Sequence, residues 1–93
     1  MDVKLTDNTA KSRFEIEVEG ATAFIDYRIR DGIVYLIHTE TPEELRGKGI
    51  GSVFVKKVFE FLETEGLQFK SLCPFVSHYL QKHPEWDFLV ASK

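Results

Sequence analysis

Arg46-Gly47-Lys48-Gly49-Ile50-Gly51 stands between two stretches whose apolar residues repeat with different periods. Before it, apolar residues alternate, as on a half-buried strand; after it, they recur at helical spacing. Phe14, Ile16 and Val18 alternate with Arg13, Glu15, Glu17 and Glu19, which predicts a half-buried edge strand. Glu19-Gly20 marks a turn. Residues 21–29 alternate again, with Ala23, Ile25, Tyr27 and Ile29 on one face. Asp31-Gly32 suits the positive backbone dihedrals of a tight hairpin. Residues 33–37 are continuously apolar, which predicts a central strand covered on both faces. Three strands thus make an antiparallel meander that stops at Pro42.

Beyond the glycines, Val53, Phe54, Val58, Phe61 and Leu62 fall on one stripe, with Lys56, Lys57, Glu60 and Glu63 opposite. The stripe predicts a long helix lying flat on a sheet, closed by Gly66 as a C-terminal cap. Residues 69–73 read as a short fourth strand ended by Pro74, and residues 75–82 as a short second helix stopped by Pro84. Residues 86–90 are either a final strand or a packed tail. A strand, a glycine turn, a helix and another strand form a crossover unit, so the third and fourth strands should run parallel. The fold class is α+β with a mixed sheet.

With 93 residues, positions 1–93 form a single domain. A net charge of −3 argues against a general binder of nucleic-acid backbones, and no apolar run is long enough to span a bilayer. Residues 1–11 are polar and lack the apolar centre of a secretory signal. Cys73 is the single cysteine, so no intrachain disulfide can form. Together these features point to the cytoplasm, with neither nucleic acid nor membrane as partner. No residue pattern specifies an oligomeric state.

The glycine segment follows a strand and opens a helix. Glycines let a backbone approach a ligand closely, and a helix N-terminus offers free N–H groups at the positive end of its dipole. That combination suits a pyrophosphate, with Arg46 and Lys48 adding charge. A sharp turn with no ligand is the ordinary alternative. The chain has no G-x-x-x-x-G-K-[ST] motif, which argues against a nucleotide triphosphatase. A meander precedes the loop instead of further βαβ units, which argues against a dinucleotide domain.

Arg46-x-x-Gly49-x-Gly51 resembles the Gln/Arg-x-x-Gly-x-Gly/Ala signature of the GCN5-related N-acetyltransferase (GNAT) superfamily. Residues 38–51, with Leu72-Cys73-Pro74-Phe75 downstream, are similar to its very small YidJ-type branch, and the resemblance covers roughly residues 13–86. It implies a GNAT-like fold and transfer of an acetyl group from acetyl-CoA, as co-substrate, to an amine acceptor. It also implies that the backbone of Arg46, Gly47, Lys48, Gly49, Ile50, Gly51 and Ser52 holds the CoA pyrophosphate, and that the thioester lies where the third and fourth strands part. Larger members place acceptor-site helices between their first two strands; the Glu19-Gly20 turn leaves no room for them. A module that binds acyl-CoA or a partner without turnover is the alternative.

Four residues are candidates for the chemistry. Glu40 ends the third strand, where the family often places a general base, and His38 shares its face and could relay a proton. Cys73 ends the fourth strand; a covalent acetyl-cysteine is conceivable chemistry for a thiolate, and a small buried side chain is the plainer reading. Tyr79 occupies a position where the family often has a tyrosine that protonates the leaving thiolate, although His83-Pro84-Glu85-Trp86 departs from the usual sequence after it. The plainer readings are an exposed charge for Glu40, a packed side chain for His38 and a core phenol for Tyr79. His78, His83 and Cys73 match no common zinc spacing, so no metal is expected.

Overall fold

The computed structural model describes residues 3–92. Five strands, β1 Leu5–Asn8, β2 Arg13–Val18, β3 Ala21–Arg30, β4 Ile33–Glu40 and β5 Gln68–Ser71, form one sheet in the order β1-β2-β3-β4-β5. Pairing is antiparallel from β1 to β4 and parallel between β4 and β5. Helix α1, Ile50–Thr64, makes the crossover, and α2, Pro74–Lys82, follows β5. The fold is mixed α+β, as the change of period predicts.

β1 is an addition to that expectation. Its sequence, Leu-Thr-Asp-Asn, has one apolar residue, and it is held by tertiary partners: Leu5 lies opposite Ile16, and Asp7 accepts a hydrogen bond of 2.6 Å from the Tyr27 hydroxyl. β2 is therefore an inner strand, not the edge. The β2–β3 and β3–β4 hairpins are tight, with positive φ at Glu19, Gly20, Asp31 and Gly32. Ile29 shares the face of Ala23, Ile25 and Tyr27, opposite Val34, but it is 57% exposed at the far end of the sheet, beyond the core.

β4 is not covered on both faces either. Val34 and Leu36 are buried, while Ile33, Tyr35 and Ile37 are half-buried. Tyr27 pairs with Leu36 but Asp26 pairs with His38, so Ile37 is an extra residue in a β-bulge. The bulge changes which face each later side chain takes. Thr39 lies opposite Ile25 on the core face, and His38 and Glu40 take the open face.

Both helices pack on that core face. Ile50, Phe54, Val55, Val58, Phe59 and Leu62 of α1 are fully buried against the sheet. Phe59 is central: its ring stacks on Phe69 at 4.7 Å and meets Tyr79 and Trp86, each at 5.7 Å. α1 ends with Gly66 N–H bonding Glu63 and Leu67 N–H bonding Leu62, which satisfies two otherwise open carbonyls. β5 stops at Ser71, so Cys73 is the residue capping α2 and not a strand residue. Residues 86–90 settle as a packed tail. They belong to a 3₁₀ turn, Pro84–Leu89, after which Val90 bridges Phe69 and Ala91 N–H bonds its carbonyl at 2.9 Å.

Candidate functional site

The parallel pairing of β4 with β5 ends at Leu36 and Ser71, followed by one bond from Leu72 N–H to the Leu36 carbonyl at 2.8 Å. Beyond it β4 runs on to Glu40 paired with β3 alone among the described strands. At that end of the sheet lies a cleft of about 420 Å³, lined by residues 39–41, 45–47, 49–52 and Phe75.

The glycine loop forms one wall. Leu45 and Ile50, each 1% exposed, anchor it in the core, and residues 46–49 between them face solvent. Gly47 and Gly49 have φ of 80° and 74°, a conformation that side chains resist, and nothing lies within 4 Å of where their Cβ atoms would be. Gly49 caps α1 without any side-chain hydrogen bond. Among the described residues, the N–H groups of residues 47–52 have no protein acceptor; the first satisfied amide is Val53, bonded to Gly49. Six backbone donors and the positive end of a four-turn helix thus belong to the loop that walls the cleft.

Gly51 has a different neighbour. A Cβ there would collide with the ring of Phe75, which lies across the start of α1 as the opposite wall. The cations are engaged locally: Arg46 Nε donates to the Thr41 carbonyl at 3.1 Å, and Lys48 Nζ lies 3.3 Å from Glu19 in the β2–β3 turn. Ser52 sits on the rim with its hydroxyl available as a further donor.

Of the four candidates for chemistry, only Glu40 lines the cleft. His38 lies beside it on the open face, with Nε2 2.9 Å from Glu40 Oε1 and both side chains about half exposed. Cys73 is on the core face, 3% exposed, with Sγ 3.2 Å from Thr39 Oγ1. Tyr79 is set back in the core, stacked on His83 at 4.2 Å. Burial, then the charges of Glu85 and Glu60, push the Tyr79 phenol pKa above its usual value. The structure joins His38 to Glu40 and Cys73 to Thr39, and leaves Tyr79 apart from both.

Sequence reasoning passed over Thr39 and Thr41. Thr39 could have been found only by recognising the bulge, because simple alternation puts it on the opposite face from Leu36. Among the described residues, no group of three or more His, Cys, Asp or Glu could hold a metal ion, and no helix is long and apolar enough to cross a membrane.

Comparison with known proteins agrees with this geometry. A family model described as GCN5-related N-acetyl-transferase matches residues 13–89. The solution structure of a GCN5-like protein from Staphylococcus aureus superimposes with a TM-score of 0.69 at 27% identity, covering 99% of this chain and 89% of that one. Protein NATD1 from mouse and from human is 26% identical over 91 residues, an alignment covering 94% of this chain and 82% and 80% of theirs.

Proposed function

The chain belongs to the GCN5-related N-acetyltransferase family, and from that premise we propose that it binds acetyl-CoA at the glycine loop and transfers the acetyl group directly to an amine. We also place it in the very small YidJ-type branch, on the strength of residues 38–51 and 72–75. The observation that carries the reading is the row of unpartnered amides from residue 47 to 52 beside a cleft between parting strands. Those donors fit a pyrophosphate, and the open space over Gly47 and Gly49 admits it.

In the proposed reaction the amine nitrogen attacks the acetyl carbonyl carbon, the carbon–sulfur bond breaks, and CoA leaves as a thiolate that takes up a proton. Glu40, supported by His38, accepts the proton lost by the amine. The Cys73 thiol is shielded on the core face, which favours direct transfer over an acetyl-cysteine. Tyr79 keeps its proton at neutral pH and is a donor for the thiolate. Its burial and its absence from the cleft lining favour a second reading, a module that holds acyl-CoA without turnover.

Thermal unfolding with and without CoA tests the binding step. At about one hundred times Kd, CoA should stabilise the fold by roughly 2.7 kcal/mol. Gly49→Glu, which sets bulk and negative charge against the pyrophosphate, should remove the shift; an undiminished shift in that variant sinks the site. Glu40→Gln and Tyr79→Phe should lower turnover more than CoA affinity. Cys73→Ser should remain active, with no acetyl adduct on the intact wild-type protein.

A further inference from the structure

Both helices cover one face of the sheet, and the other face is bare among the described residues. The register arranges its side chains in rows across the strands. Nearest the glycine loop, Glu17 is followed by a row holding Glu15, Phe24 and Glu40. The next row holds Arg13, Asp26 and His38. Farther away come Arg28, Tyr35 and Lys70 in one row and Arg30 in the last.

The charges along these rows are unequally divided. The loop end has three carboxylates, Glu15, Glu17 and Glu40, against one cation, Lys4, exposed between the core-facing Val3 and Leu5. The middle neutralises itself, with Arg13 Nε 3.3 Å from Asp26 and its guanidinium 3.7 Å from the centre of the Phe24 ring. The far end has three cations, Arg28, Arg30 and Lys70, with Asp31 at the hairpin tip the next acid beyond them. Phe24 and Arg28 are four residues apart on one strand, so the two ends lie about 13 Å from each other. That exceeds the screening length of about 8 Å at physiological salt, so each end acts on a ligand separately.

The geometry points to this bare face as the platform for the acetyl acceptor, and to one occupant: a peptide carrying a lysine with an acidic side chain a few residues away. The inference rests on the transferase reading and names its substrate class. The lysine ammonium is drawn to the acidic end, where Glu40 belongs both to this face and to the cleft lining. The carboxylate is drawn to Arg28, Arg30 and Lys70, which stand beside Tyr35 and Ile33 beyond the self-neutralised middle row. A polyamine or a lysine in a basic peptide would set a cation against those three. A separation of about 13 Å is more than one amino acid spans and is bridged by two to four extended residues.

The test measures acetyl transfer from acetyl-CoA to three peptides, each with a single lysine in an acidic, a neutral or a basic context. The acidic peptide should have a KM about tenfold below that of the basic one, with the gap narrowing as salt rises. Arg28→Glu combined with Arg30→Glu, both exposed positions, should reverse the order while the acetyl-CoA-induced thermal shift is retained. Equal KM values for the three peptides, or a preference that survives the charge reversal, overturns the inference. So does acetylation of free small amines with no peptide used. If acetyl-CoA gives no thermal shift in the wild type, it is the transferase reading that fails, and this inference falls with it.

Discussion

A Cβ on Gly51 would run into Phe75, whereas Gly47 and Gly49 face open space at positive φ. One motif thus contains two uses of glycine, a left-handed backbone open to solvent and the seating of a ring. Gly51→Ala should destabilise the protein by about 1–3 kcal/mol through overpacking. In a Phe75→Ala background the same change should be neutral or stabilising by up to about 1 kcal/mol, because alanine is the better helix residue. Chemical denaturation of the four proteins gives the coupling. Tyr27 supplies a pH dependence. Burial, the hydrogen bond to Asp7 and the charge of Asp7, in that order, raise its pKa from 10.0 to about 12. The folded protein keeps this proton after the unfolded chain has lost it. The contribution to stability is therefore whole below pH 10.0 and is lost as pH rises toward about 12. Denaturation midpoints should fall across that window, and less steeply in Tyr27→Phe; identical slopes would count against the assignment.

Among the elements, those with a strong period were legible and those held by tertiary partners were not. The stripe from Val53 to Leu62 specified α1, and Asp31-Gly32 specified its hairpin. β1 was hidden because Thr6, Asp7 and Asn8 carry no strand pattern; Asp7 is there to meet the Tyr27 hydroxyl. The bulge at Ile37 was hidden because a continuous apolar run does not say which side chain faces the core. Its consequence reaches the site, since it sets Thr39 beside Cys73 and turns His38 and Glu40 to the open face. The strand-to-helix glycine loop could be read from the sequence, but the role of Gly51 depends on Phe75, distant in the chain. The core beneath α1 gives a direct test of the packing. Phe59 has 0% exposure and contacts Phe69, Tyr79 and Trp86, so Phe59→Ala should cost about 3–5 kcal/mol in equilibrium unfolding.

For the whole molecule, placing both helices on one face leaves a cleft at one end of the sheet and a surface of unequally divided charge behind it. The cleft meets that surface at Glu40, which lines the first and belongs to the second. Neither the β1–β2 connection, residues 9–12, nor the β2–β3 turn, residues 19–20, has room for a helix, and the structure shows what face that leaves uncovered. Everything functional depends on the donors from residue 47 to 52 holding a pyrophosphate. Amide chemical shifts followed during titration with CoA, and separately with pantetheine, which lacks the pyrophosphate, test this most directly. The account predicts that CoA moves the N–H signals of residues 47–52 and that pantetheine leaves them in place. Signals unmoved at saturating CoA, or moved equally by pantetheine, would contradict it.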